Sequence, residues 1–178
     1  MSEYIGNEIL AIGDSFTLGL GVDNQHTWAA QLSNLVNYPV CNFSLNGCSN
    51  DWMVRRTQQL LTQFTPKAVI VHYTFSHRRE RPFKDWTDVE RTECEPLYSN
   101  EENYANWKSA FEYFSSLDIP VVHSFITDWH PIPIDYASLP GKVIRPMVKM
   151  DLARDGFHYG PKTHQRLAQC ITNLLVGG

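Results

Sequence analysis

Two short segments of this chain hold the residues from which a nucleophilic site can be assembled. The first is Gly13-Asp14-Ser15-Phe16-Thr17-Leu18-Gly19, which follows directly on the apolar run Ile9-Leu10-Ala11-Ile12. The second is Asp155-Gly156-Phe157-His158, near the C-terminal end. A serine hydroxyl is a weak nucleophile at neutral pH and needs a base beside it. Histidine suits that task, because its ordinary pKa of ~6.5 lies near working pH. The imidazole must in turn be held in one tautomer by a carboxylate. Residues three apart in a tight turn can bring carboxylate and imidazole within hydrogen-bond reach, and Gly156 permits such a turn. Taken singly, each segment has a plainer explanation. Asp14 or Ser15 can be a helix cap, and Asp155 with His158 can be an incidental loop or a pair of metal ligands. Together they supply nucleophile, base and orienting carboxylate.

The pattern around these segments tells what must position them. Short apolar runs at residues 8–12, 39–43, 68–73 and 120–126 read as strands, with Val143-Ile144 as a short fifth. Between them, residues 27–36, 50–64, 101–117 and 161–175 carry apolar side chains at helical spacing. Buried strands alternating with amphipathic helices predict a parallel sheet covered on both faces, with right-handed crossovers. The strand at residues 8–12 is expected to be the central one. In such sheets the functional crevice lies beyond the carboxyl ends of the strands, which is where Ser15 falls. Residues 79–100 are polar with scattered aromatics and fit no element, so they read as an insertion loop. Its Phe83, Trp86 and Tyr98, with Tyr104 and Trp107 on the next helix, are expected chiefly to pack that loop onto the domain.

In order and spacing these segments resemble the SGNH (GDSL-type) hydrolases. Gly13-Asp14-Ser15 looks like the family's first block, and Asp155-Gly156-Phe157-His158 like its D-x-x-H block. The run Tyr159-Gly160-Pro161-Lys162-Thr163-His164 into the last helix is similar as well, and Asn42-Phe43-Ser44-Leu45-Asn46-Gly47 resembles the second block. The resemblance spans residues 8 to about 176. It implies one domain over residues 1–178, a three-layer α/β/α sandwich on a mainly parallel five-stranded sheet, and the flavodoxin-like SGNH hydrolase fold. It also implies a serine esterase in which Ser15, His158 and Asp155 form a catalytic triad, with no cofactor and no metal. The backbone N–H groups of Ser15 and Gly47 would hold the oxyanion. The third block departs from the family's Gly-x-Asn-Asp: here the chain reads Tyr73-Thr74-Phe75-Ser76-His77-Arg78. Counting from the strand puts Ser76 where the oxyanion asparagine stands, with Thr74 or a water as other donors. Alternatively the segment is rebuilt, with Arg78 facing a charged substrate.

Composition narrows the rest. A formal net charge of −4 argues against a partner that is nucleic acid. The arginines at 55–56, 78–79 and 81 read as a solvated face with acidic neighbours. No apolar run approaches the ~18 residues of a membrane span, and residues 1–4 lack the start of a signal peptide, so a cytoplasmic location is expected. Cys41, Cys48, Cys94 and Cys170 are scattered and read as plain thiols. His26, His72, His77, His123, His130 and His164 have no spacing that names a metal. The expected substrates are small-molecule esters or O-acetylated sugars. Two other readings compete: a non-catalytic binding module on the same fold, and a metal-dependent phosphoesterase using Asp14, Asp155 and histidines.

Overall fold

A computed structural model of the chain describes residues 8–80, 98–127 and 130–177. Its strands are β1 (Ile9–Gly13), β2 (Val40–Asn42), β3 (Ala68–Tyr73), β4 (Val121–Phe125) and β5 (Lys142–Ile144). They form one sheet in the order β2-β1-β3-β4-β5, and every pairing is parallel. All positions of β1 and β3 are buried. A strand covered on both faces has no use for polar alternation, which is why Ala-Val-Ile-Val-His-Tyr reads as an almost unbroken apolar run.

The helices are α1 (Ser15–Leu18), α2 (Trp28–Val36), α3 (Asn50–Leu61), α4 (Asn100–Ser115) and α5 (Pro161–Val176). One core joins Ile9, Ala11 and Ile70 of the sheet to Trp28, Leu32, Leu167 and Ile171 of α2 and α5. The opposite core joins Leu10, Ile12, Val69 and Val71 to Met53 of α3 and to Trp107, Phe111 and Phe114 of α4. The sheet is therefore the middle of three layers. Helix starts follow local chemistry: Thr27 accepts the N–H of Ala30, and Ser99 with Glu102 makes a capping box at α4. Trp107 is fully buried, while Tyr98 lies under Arg79, whose guanidinium carbon is 4.3 Å from the ring centroid.

One expectation is corrected. β1 is not the central strand; β3 is, with β1 one place away. The chain first moves outward from β1 to the edge strand β2, then crosses back over β1 to β3 and continues to β4 and β5. The direction of winding thus reverses between β1 and β3, which makes their carboxyl ends the switch-point crevice. Sequence alternation predicts layers but not the side on which each crossover lands. Most of the expected insertion loop, with Phe83, Trp86 and Cys94, lies outside the described residues. Cys41, Cys48 and Cys170 are free thiols. Among the described residues, no helix is long and apolar enough to cross a membrane.

Candidate active site

The loop leaving β1 turns at once into α1, a single helical turn. Asp14 caps it, with its carboxylate Oδ1 accepting the N–H of Phe16 at 2.9 Å. Ser15 is the first residue of that turn and is almost fully buried. Asp14 thus fulfils the plain capping role without displacing the chemical one.

The second segment meets it from the opposite end of the chain. His158 Nε2 lies 2.9 Å from Ser15 Oγ, and His158 Nδ1 lies 2.6 Å from Asp155 Oδ2. Asp155 Oδ1 also accepts the backbone N–H groups of Phe157 and His158, at 2.9 and 3.0 Å. These bonds, led by the Phe157 N–H, hold the Asp155 carboxyl down to about 2. The turn needs Gly156 at φ +71°, a region L side chains seldom adopt. The carboxylate can only accept, so Nδ1 carries the proton and Nε2 is left to accept from the Ser15 hydroxyl.

The imidazole is also packed. The Phe16 ring centroid lies 4.7 Å from that of His158, and the Phe157 ring stands edge-on at 5.0 Å. Lys149 spans both phenyl rings with its ammonium and donates to the Phe157 carbonyl. Asp151 accepts the N–H groups of Lys162 and Thr163, seating the loop on the first turn of α5. Sequence reasoning missed Lys149 and Asp151. For Asp151 the only available signal was an acidic residue a few positions ahead of a helix start.

Gly47 sits in the loop after β2. The Leu45 N–H and the Cys48 thiol both donate to the Gly13 carbonyl, at 3.1 and 3.2 Å, and Asn42 Nδ2 donates to the Thr17 carbonyl at 2.9 Å. These bonds stitch the loop to the end of β1. Gly47 is buried at φ +75°. Among the described residues, nothing accepts the N–H of Ser15 or of Gly47.

The loop after β3 is arranged differently from either sequence-based expectation. Thr74 does not offer a free donor, because its hydroxyl gives its proton to Asp14 Oδ2 at 2.7 Å. Arg78 does not reach outward as part of a solvated face; its Nη1 lies 2.7 Å from the same carboxylate oxygen. Ser76 is buried, and its hydroxyl lies 3.4 Å from Nδ1 of His130, whose Nε2 is 3.2 Å from the Thr127 carbonyl. That carbonyl can only accept, so Nε2 holds a proton, and when the ring is neutral Nδ1 accepts from Ser76. The Ser76 hydroxyl thus faces His130.

Three other histidines are interior. Burial, aided by the neighbouring His164, lowers His72 to about 3, and burial lowers His123 and His164 to about 4. Among the described residues no three His, Cys, Asp or Glu side chains are grouped to hold a metal ion.

No protein-family model and no curated protein matches the chain by sequence. Solved structures do match it in shape. TesA superposes with a TM-score of 0.60 at 16% identity, covering 96% of this chain and 98% of its own. A member of the lipolytic protein G-D-S-L family from Veillonella parvula gives 0.58 at 16% identity, covering 95% and 97%. The fold is that of the SGNH hydrolases. A third match is an acetyl xylan esterase from Butyrivibrio proteoclasticus, at 0.63 and 14% identity over 99% of this chain and 65% of its own. At these identities the likeness is one of architecture.

Proposed function

We propose that this chain is a serine esterase that hydrolyses carboxylic esters through an acyl-enzyme. The observation that carries the reading is the unbroken hydrogen-bonded path from Ser15 Oγ through His158 to Asp155, set at the switch point of the sheet. Ser15 Oγ attacks the ester carbonyl while His158 Nε2 removes its proton. Asp155, ionised at any working pH, fixes the tautomer and stabilises the imidazolium. His158 then passes the proton to the leaving alcohol, and the C–O bond of the ester breaks. Water repeats the sequence on the acyl-serine, releasing acid and restoring the hydroxyl.

The N–H groups of Ser15 and Gly47 serve as the oxyanion donors, since neither is engaged elsewhere among the described residues. Ser76 assists only in so far as its hydroxyl turns from His130. The substrates are small esters, O-acetylated sugars among them; the esterase names of the similar structures support testing these first. The metal-dependent alternative gains no support from Asp14, whose carboxylate faces Arg78 and Thr74.

The reading is tested with a panel of esters of rising acyl length, acetylated sugars included, run beside Ser15→Ala. Turnover of at least one ester that disappears in Ser15→Ala supports it. A folded protein that binds esters without turning any over favours a binding module.

A further inference from the structure

Asp14 lies beneath the nucleophile with no exposure to solvent, and both of its oxygens are occupied. Oδ1 accepts the Phe16 N–H, while Oδ2 accepts from Thr74 Oγ1 and from Arg78 Nη1, each at 2.7 Å. Arg78 Nη1 also donates to Thr74 Oγ1 at 2.8 Å, closing a three-membered cluster. A buried carboxylate is tolerated only when paired and hydrogen-bonded, and Arg78 is the cation that pairs it. Nearby Arg55 and Arg79 pair instead with Glu80 and Asp51.

We infer that Arg78 is a positioning residue for the oxyanion end of the site, acting on Ser15 through Asp14; this rests on the esterase reading above. Helix α1 has four residues, far too few to be stable alone. Its orientation, and with it the direction of the Ser15 N–H and Oγ, is set by what holds its cap. The cluster that holds the cap is itself tied to the second loop. Asn50, at the start of α3, accepts the Thr74 N–H at 3.0 Å and donates to the Thr74 carbonyl at 3.3 Å. Asp14 and Thr74 stand just after β1 and β3, and Asn50 at the far end of the loop that follows β2, so one buried network registers the three loops that meet at the crevice. Arg78 closes it from the outside, its guanidinium stacked over Phe75 at 4.8 Å and its side chain only 14% exposed. The segment that departs from the Gly-x-Asn-Asp pattern thereby gains an internal strut for the nucleophile. A lysine could meet the carboxylate as a point charge, but it lacks the planar guanidinium that lies over Phe75 while Nη1 serves Asp14 and Thr74.

The test uses Arg78→Ala, Arg78→Lys and Thr74→Val in the full chain, with kcat and KM measured on one short-chain ester well below each variant's Tm. Displacement of reacting groups by about 1 Å costs on the order of 10²-fold in rate. Arg78→Ala should therefore lose about 10²-fold in kcat with KM changed by less than about twofold. Arg78→Lys should recover part of that loss, and so should ethylguanidinium added to Arg78→Ala. Thr74→Val, which keeps the charge pair, should lose about tenfold in kcat. If Arg78→Ala does not fold, the lysine and valine variants carry the decision. Wild-type kcat in the variants that fold, or a change in KM alone, overturns the inference. Those results leave the esterase reading intact, whereas ester hydrolysis that survives in Ser15→Ala defeats that reading itself.

Discussion

His158 Nε2 rests 2.9 Å from Ser15 Oγ, although 143 residues separate the two in the chain. The contact exists because β1 delivers Ser15 to the crevice and the loop before α5 returns along the same edge. Its first consequence is kinetic. Ser15→Ala and His158→Ala should each lower kcat by roughly 10³-fold or more without unfolding the protein, and the double variant should be little worse than either. Losses that multiply across the double variant would contradict a shared proton transfer.

The pH dependence has a defined sign. The neutral imidazole is the base, so the rate should rise with pH as that form becomes available. Asp155, held at about 2, stays ionised across that range and adds no second limb. Asp155→Asn should cost about 10⁴-fold, because an amide can donate to Nδ1 and favour the wrong tautomer. A kcat/KM profile flat from about pH 5 to 9 contradicts the assignment.

Ser76 offers a sharper distinction. Loss of a full oxyanion donor typically costs ~10²–10³ in rate. With its hydroxyl facing His130, Ser76 should matter less, and Ser76→Ala should lower kcat by under about tenfold. A fall beyond about 10² with KM unchanged would make the hydroxyl a complete third donor.

Interior histidines make a prediction about stability. His72, His123 and His164 bind protons in the fold only near pH 3 to 4, against an ordinary 6.5. Between those values the unfolded chain binds more protons, so stability falls as pH drops through that window. Asp155 acts lower: its contribution is present above its ordinary 3.8 and lost as pH falls through about 2. Calorimetry should therefore show Tm decreasing steadily from about pH 6.5 downward, well before carboxylates titrate. A constant Tm between pH 7 and 4.5 would contradict the buried neutral state.

The residues brought together at Ser15 were legible because each lies beside an unmistakable element: Ser15 after the apolar run of β1, His158 just ahead of Pro161 and α5. Strand positions were legible for the same reason, and Ala68–Tyr73 coincides with β3. The place of β1 in the sheet was not, since crossover side leaves no local trace. Nor was the pairing of Asp14 with Arg78, 64 residues apart. An arginine in a charged stretch looks the same whether it faces water or a buried carboxylate. The contact of Ser76 with His130 likewise depends on how the loops after β3 and β4 fold over each other. Neither has a sequence periodicity to reveal it.

The central claim is that Ser15 is a nucleophile activated by His158, and a fluorophosphonate probe tests it most directly. Such a probe is attacked only by an activated hydroxyl and leaves a stable adduct whose position mass spectrometry reads. The account predicts one adduct per chain, on the peptide containing Ser15, absent from Ser15→Ala and greatly slowed in His158→Ala. A folded wild-type protein that takes up no probe, or takes it up at another residue while Ser15 stays unmodified, would contradict it.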